Sequence, residues 1–227
     1  MMNILLLCDD EYHPGQVPID GVKPLADKGY KIDIISNGND FSPKILQNYQ
    51  VVILSKADHV TQANLTSWKS PAVQQAFVDY VENGGGLIIS HSAIVAGKNT
   101  AVLDRLAGCT FKYHPAQTPV YAEPLKPHPI MEGVEAFTET DEHYQVNILA
   151  NDIDILMAAH APAQGATEKY DTEPYTNAPQ KIAPCVFARA QGNGRVCVIT
   201  PGHNLNVWLN PNFQRLLENA IQWCVTT

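Results

Sequence analysis

The chain has 227 residues, and its 15 Lys plus Arg against 23 Asp plus Glu give a formal net charge of -8. Hydrophobic residues make up 45% and charged residues 17%, a globular rather than a disordered profile. The acidic balance and the lack of a basic run argue against nucleic acid and anionic membrane as partners. No apolar stretch approaches the roughly 18 residues of a spanning helix. The start, MMNILLLC, lacks the charged leader and the long apolar core of a signal peptide. The five cysteines are odd in number and form no C-x-x-C pair, so reduced, mostly buried thiols in a cytoplasmic protein are expected. No repeat and no linker interrupts the chain, which reads as one domain over 1–227, large enough to bury roughly 70% of its unfolded surface.

Asn3 to Cys8 is a continuous apolar run, the pattern of a buried first strand. An acidic turn, Asp9-Asp10-Glu11, follows and reads as solvated; His13 closes it. Ile19 to Lys28 has helical apolar spacing, with Gly29 placed as its cap. Lys31 to Ser36 and Val51 to Leu54 are the next strands, with a short Pro-initiated helix at Ser42-Pro43 between them. This alternation implies parallel strands with right-handed crossovers. Asp58 and His59 fall in a polar loop. Pro71 to Glu82 is a helix with Val73, Ala76, Phe77, Tyr80 and Val81 on one stripe.

The stretch Gly84 to Ala93, GGGLIISHSA, is a glycine break, an apolar strand and an abrupt polar trio. Ligands in open α/β sheets sit beyond the carboxyl ends of the strands, so Ser90, His91 and Ser92 fall where chemistry belongs. A helix over Asn99 to Leu106 ends at Gly108. From Phe111 to Leu125 prolines and alternation suit antiparallel or edge strands. Pro127 to Ile130 is a turn, and Ile153 to Ala159 another strand. Ala161 to Pro184 reads as a long surface loop or lid. Cys185 to Ala190 and Arg195 to Thr200 flank Gln191-Gly192-Asn193-Gly194, a hairpin signal. Pro211 to Val225 is the last helix, burying Phe213, Leu216, Leu217, Ala220, Ile221 and Cys224.

Several polar residues qualify for a site. His91 reads as base or metal ligand, and Ser92 as a hydroxyl of the site or as a helix cap. His13 ends the first strand and His203, in Thr200-Pro201-Gly202-His203, ends the last. In Asp141-Glu142-His143-Tyr144, strand alternation sets Glu142 and Tyr144 on one face and Asp141 and His143 on the other. Trp208 reads as core before sugar platform, and His128 as structural. His114 and His160 are assigned no role.

Three stretches, GGGLIISHSA, KPHPIMEGVEAFTETDEHYQV and ARAQGNGRVCVITPGHNLNVWLNPNFQRLLENAIQWC, resemble in order and spacing the ThuA-like family named for trehalose utilisation. The resemblance implies a class I glutamine amidotransferase-like fold: a flavodoxin-like doubly wound, mostly parallel α/β sheet with an antiparallel extension. It also implies catabolism of sugars or keto-sugars of the trehalose type. Amidotransferase relatives carry a nucleophilic cysteine in the turn after this strand. Here His91 stands in that place, and no cysteine lies within fifteen residues of it, so glutaminase chemistry is not expected.

The resulting expectation is histidine/carboxylate acid-base chemistry on a small-molecule carbohydrate. His91, Glu142, His203 and Tyr144 would be catalytic, and His13, Ser92 and Asp141 would contact substrate. A divalent ion such as zinc, held by His13, His91 and His203, is the cofactor alternative, although no H-x-H or H-E-x-x-H spacing marks it. A non-catalytic sugar-binding or regulatory module is the functional alternative, and a homo-oligomer stays open.

Overall fold

The computed structural model describes residues 2–95, 97, 100–161 and 181–225. It begins β1 (Asn3–Cys8), α1 (Gln16–Gly21), α2 (Lys23–Asp27), β2 (Lys31–Ile35), β3 (Val51–Ser55), α3 (Pro71–Glu82) and β4 (Gly86–Ser90). Then come α4 (Ala101–Ala107), β5 (Cys109–Tyr113), β6 (Thr118–Pro124), β7 (Phe137–Asp141), β8 (Gln145–Ile148) and β9 (Asp154–Ala161). The chain closes with β10 (Lys181–Gln191), β11 (Gly194–Ile199), α5 (Leu205–Leu209) and α6 (Pro211–Val225).

Nine strands form one mixed sheet in the order β2-β1-β3-β4-β11-β10-β9-β6-β7. The five from β2 to β11 pair in parallel. The rest, from β10 to β7, pair antiparallel. β5 and β8 form a separate two-stranded ribbon. β1 lies between β2 and β3, so the chain leaves it in both directions, and that reversal opens a crevice at the strand carboxyl ends.

Alternation along the strands builds two cores. Ile4, Leu6, Ile53 and Ile88 pack against α6 through Phe213, Leu216, Leu217 and Ile221. Leu5, Leu7, Val52 and Leu87 face the other way, onto Phe77 and Val81 of α3 and Leu103 and Leu106 of α4. Helices therefore cover both faces of the parallel half. The six α6 residues expected inside are the ones buried, and Trp208 is core, fully buried. Its indole N–H donates to the Gly202 carbonyl at 2.8 Å.

Four local expectations need correction. The helix expected over Ile19 to Lys28 starts at Gln16 and breaks at Val22 into α1 and α2; Pro24 has no N–H to donate back into the first helix. The expected loop over Ala161 to Pro184 lies for 162–180 outside the described residues, but its end, from Lys181, is strand β10 paired with β9. The strand alternation expected across Asp141 to Tyr144 fails, because β7 stops at Asp141 and β8 starts only at Gln145. Asp10, read as part of a solvated turn, is fully buried.

Candidate functional site

Three loops at the carboxyl ends of β1, β4 and β11 each bring one histidine to the crevice, and the corner between β7 and β8 brings Glu142. One nitrogen each from His13, His91 and His203 and one oxygen of Glu142 all lie within 4.8 Å of one another. Glu142 Oε2 is 3.0 Å from His203 Nδ1, 3.4 Å from His91 Nε2 and 4.0 Å from His13 Nε2. The imidazole centroids of His13 and His91 are 4.9 Å apart, and those of His13 and His203 are 5.1 Å apart.

The three histidines are braced from behind. His91 follows β4 with φ of 45°, the left-handed region that side chains rarely adopt. Its Nδ1 meets the Thr200 carbonyl at 2.7 Å, which fixes the proton there and leaves Nε2 facing Glu142. His13 sits in a tight turn closed by reciprocal backbone bonds with Asp10. Its Nδ1 lies 2.7 Å from Asp10 Oδ1, while Asp10 Oδ2 accepts from Ala57 N at 2.9 Å, at the end of β3. Asp141 does not face the cluster with a free carboxylate. It accepts from the backbone N–H groups of Gly202 and His203, at 2.8 and 3.0 Å, and so aims the His203 loop. Gly202 has φ of 141°, and a Cβ there would lie 3.3 Å from Trp208 Nε1, so glycine suits the turn.

His91 Nε2, His203 Nδ1 and Glu142 Oε2 are buried, and among the described residues none has an aligned hydrogen-bond partner. Atoms 3.0 to 3.4 Å apart that do not align on one another have the geometry of groups sharing a third body. Buried polar atoms are seldom left so. Three imidazole nitrogens and one carboxylate oxygen are also the donor chemistry of zinc and related divalent ions.

The electrostatics follow the geometry. Burial alone would raise the Glu142 carboxyl, but the imidazoles of His13, His203 and His91 hold it far below the usual carboxylate range. Burial would lower His13, yet Asp10 and Glu142 outweigh it and carry its pKa up to about 9. Burial also acts against Asp10, but its hydrogen bond and charge interaction with His13, then the Ala57 N–H and the Ser92 hydroxyl, override it and keep that carboxyl well below normal. Asp141 is raised, by burial first, against the pull of His91 and its backbone donors.

Of the remaining expected residues, Tyr144 is buried and stacks on His91, with centroids 4.2 Å apart at 27°. Ser92 is fully buried, and its hydroxyl helps to hold the Asp10 carboxylate in its ionised form. Two residues escaped sequence reasoning. Asp10 was detectable only as the D-x-x-H spacing to His13. His114 places Nε2 3.5 Å from Glu142 Oε2, and its Nδ1 meets the Pro115 carbonyl at 2.8 Å; burial lowers its affinity for a proton. His128 is structural, accepting from Ile130 N at 3.1 Å. His160 pairs with Glu123 at 2.9 Å, on β9 and β6.

All five cysteines are free and buried, and burial pushes the Cys8 and Cys109 thiols up to about 12. No helix among the described residues is long and apolar enough to cross a membrane.

A search of curated protein sequences finds no match. Solved structures do match. A ThuA-like protein from Bacteroides uniformis ATCC 8492 superposes with a TM-score of 0.70 at 20% identity, covering 100% of this chain and 92% of its own. Another, from Parabacteroides merdae ATCC 43184, gives 0.74 at 21%, covering 99% and 90%. A cold-adapted β-galactosidase from Rahnella sp. R3 gives 0.65 at 13%, covering 98% of this chain but 31% of that one. At these identities the likeness is one of fold. A profile of the ThuA family, described as trehalose utilisation, matches residues 6–224. That match takes in every strand end that supplies the cluster, and with it the chain belongs to the ThuA family.

Proposed function

We propose that the protein is a metal-dependent enzyme acting on a sugar or keto-sugar of the trehalose type, by histidine/carboxylate acid-base chemistry and without glutaminase activity. The observation that carries the metal reading is the convergence of His13, His91, His203 and Glu142 within 4.8 Å, with three of those donor atoms buried and unaligned. A bound divalent ion would polarise a substrate carbonyl or hydroxyl oxygen.

The chain's own groups supply the rest. His91 and His203 are held by Thr200 and Asp141 in one orientation, which preorganises the site. His114 keeps its Nδ1 on a carbonyl and turns Nε2 into the cluster, where its imidazole takes up and returns the proton, with Tyr144 walling the site beside His91. The carbohydrate class rests on the family description rather than on a shaped sugar site. We also read the parallel half, in order β2-β1-β3-β4-β11 with helices on both faces, as the flavodoxin-like doubly wound layer of an amidotransferase-type fold. The thiolate that fold uses elsewhere has no counterpart, since His91 occupies the turn.

The test is metal analysis of untagged protein together with turnover of a keto-disaccharide. Near-stoichiometric zinc or another divalent ion is expected; less than about a tenth of an equivalent overturns the metal reading. His114→Gln should lower turnover by about 100-fold or more while leaving the metal bound. Tight sugar binding with no turnover would instead make the protein a binding module.

A further inference from the structure

The ligands differ in what stands behind them. His91 leans on a neutral carbonyl, that of Thr200. His13 leans on a full carboxylate, Asp10 Oδ1 at 2.7 Å. That carboxylate has no freedom to swing away. It is fully buried, its Oδ2 accepts from Ala57 N at 2.9 Å and its Oδ1 also accepts from Tyr12 N at 3.2 Å. One backbone donor on each oxygen thus fixes the carboxylate that meets His13.

We propose that Asp10 is a positioning residue of the metal site: it locks His13 in the tautomer with hydrogen on Nδ1, so that Nε2 offers its lone pair to the ion. The proposal rests on the metal reading above and goes beyond it, because Asp10 touches neither the ion nor the substrate. A carboxylate behind a ligating imidazole sets the ring orientation and strengthens the nitrogen as a donor, and losing it typically weakens metal binding by about 10- to 100-fold. The link through Ala57 N also joins the ligand on the β1 loop to the end of β3, so the two neighbouring strand ends set one ring.

Asp10→Asn separates charge and tautomer from shape. Its amide oxygen can still accept from Ala57 N, which leaves the amide NH2 against His13 Nδ1. That nitrogen must then accept, and the ring proton moves to Nε2, the ligating atom. Zinc affinity, measured by competition with a chromogenic chelator, should fall about 10- to 100-fold. In a His13→Ala background the same substitution should cost no further affinity, whereas a merely structural role would cost the same in both backgrounds.

Nitrogen NMR of zinc-loaded wild-type protein gives a reading that needs no variant to fold: His13 should show hydrogen on Nδ1 and metal on Nε2. Unchanged zinc affinity in Asp10→Asn, an undiminished loss in the His13→Ala background, or metal on His13 Nδ1 would each overturn the role of Asp10. Wild-type protein that takes up no zinc overturns the metal reading itself, a separate outcome.

Discussion

His13 and Glu142 make the metal-free protein sensitive to pH from both sides. His13 is raised from 6.5 to about 9, so its protonated form stabilises the fold. That contribution is full below pH 6.5 and disappears as pH rises through 9. At 1.36 kcal/mol per pH unit of difference it is worth about 3 kcal/mol. Glu142 is lowered below its usual 4.5, so its contribution is present above that value and declines as pH falls beneath it. Denaturant titrations of chelator-treated protein should therefore find greatest stability between these limits and an alkaline loss near 3 kcal/mol. Metal-loaded protein should not show the alkaline loss, because the ion replaces the proton. An alkaline loss that survives in His13→Asn would contradict the assignment. The histidines were legible in the sequence because strand ends are where such sheets place ligands. Asp10 was not, because an acidic triplet looks solvated until the Ala57 N–H from another strand is laid over it.

At the scale of the element, regular periodicity was readable and irregular joints were not. Pro71–Glu82 and Pro211–Val225 carry proline at their first turn and an apolar stripe, and both appear with those bounds. Leu205–Leu209 is five residues long with no side-chain cap, too short to leave a periodic signal. The Asp141 to Tyr144 corner misled because local alternation says nothing of where a strand stops. Gly108 was legible as a helix end, and its geometry makes a sharp test. It ends α4 with φ of 74°, and a Cβ there would lie 2.8 Å from Ile153 Cδ1. Gly108→Ala should cost about 1–2 kcal/mol from the left-handed backbone alone, and more from the crowding. A lowered urea midpoint with unchanged slope is the expected reading; an unshifted midpoint would show that the α4 end rearranges freely.

Across the whole molecule, the sequence conveyed the parallel half well, since four of its five strands are short buried runs and only the edge strand β2 is part exposed. It conveyed the antiparallel extension only as a class. The neighbours of β6, β7 and β9 are chosen by pairings between distant segments, which no local pattern encodes. The site straddles the two regions. Three histidines come from loops on parallel strands, and Glu142 comes from the β7–β8 corner of the extension. An ion bound there is a rivet through a seam, and its removal should let one side of the seam breathe more than the other. On chelation, amide exchange should quicken over Phe137–Ile148 while the amides of β1, β3 and β4 keep their protection. Uniform quickening would mean that the ion braces the entire fold. Selective quickening would make the supply of metal a control on how long the extension stays fastened, and so on how readily a protease could enter the protein at that corner.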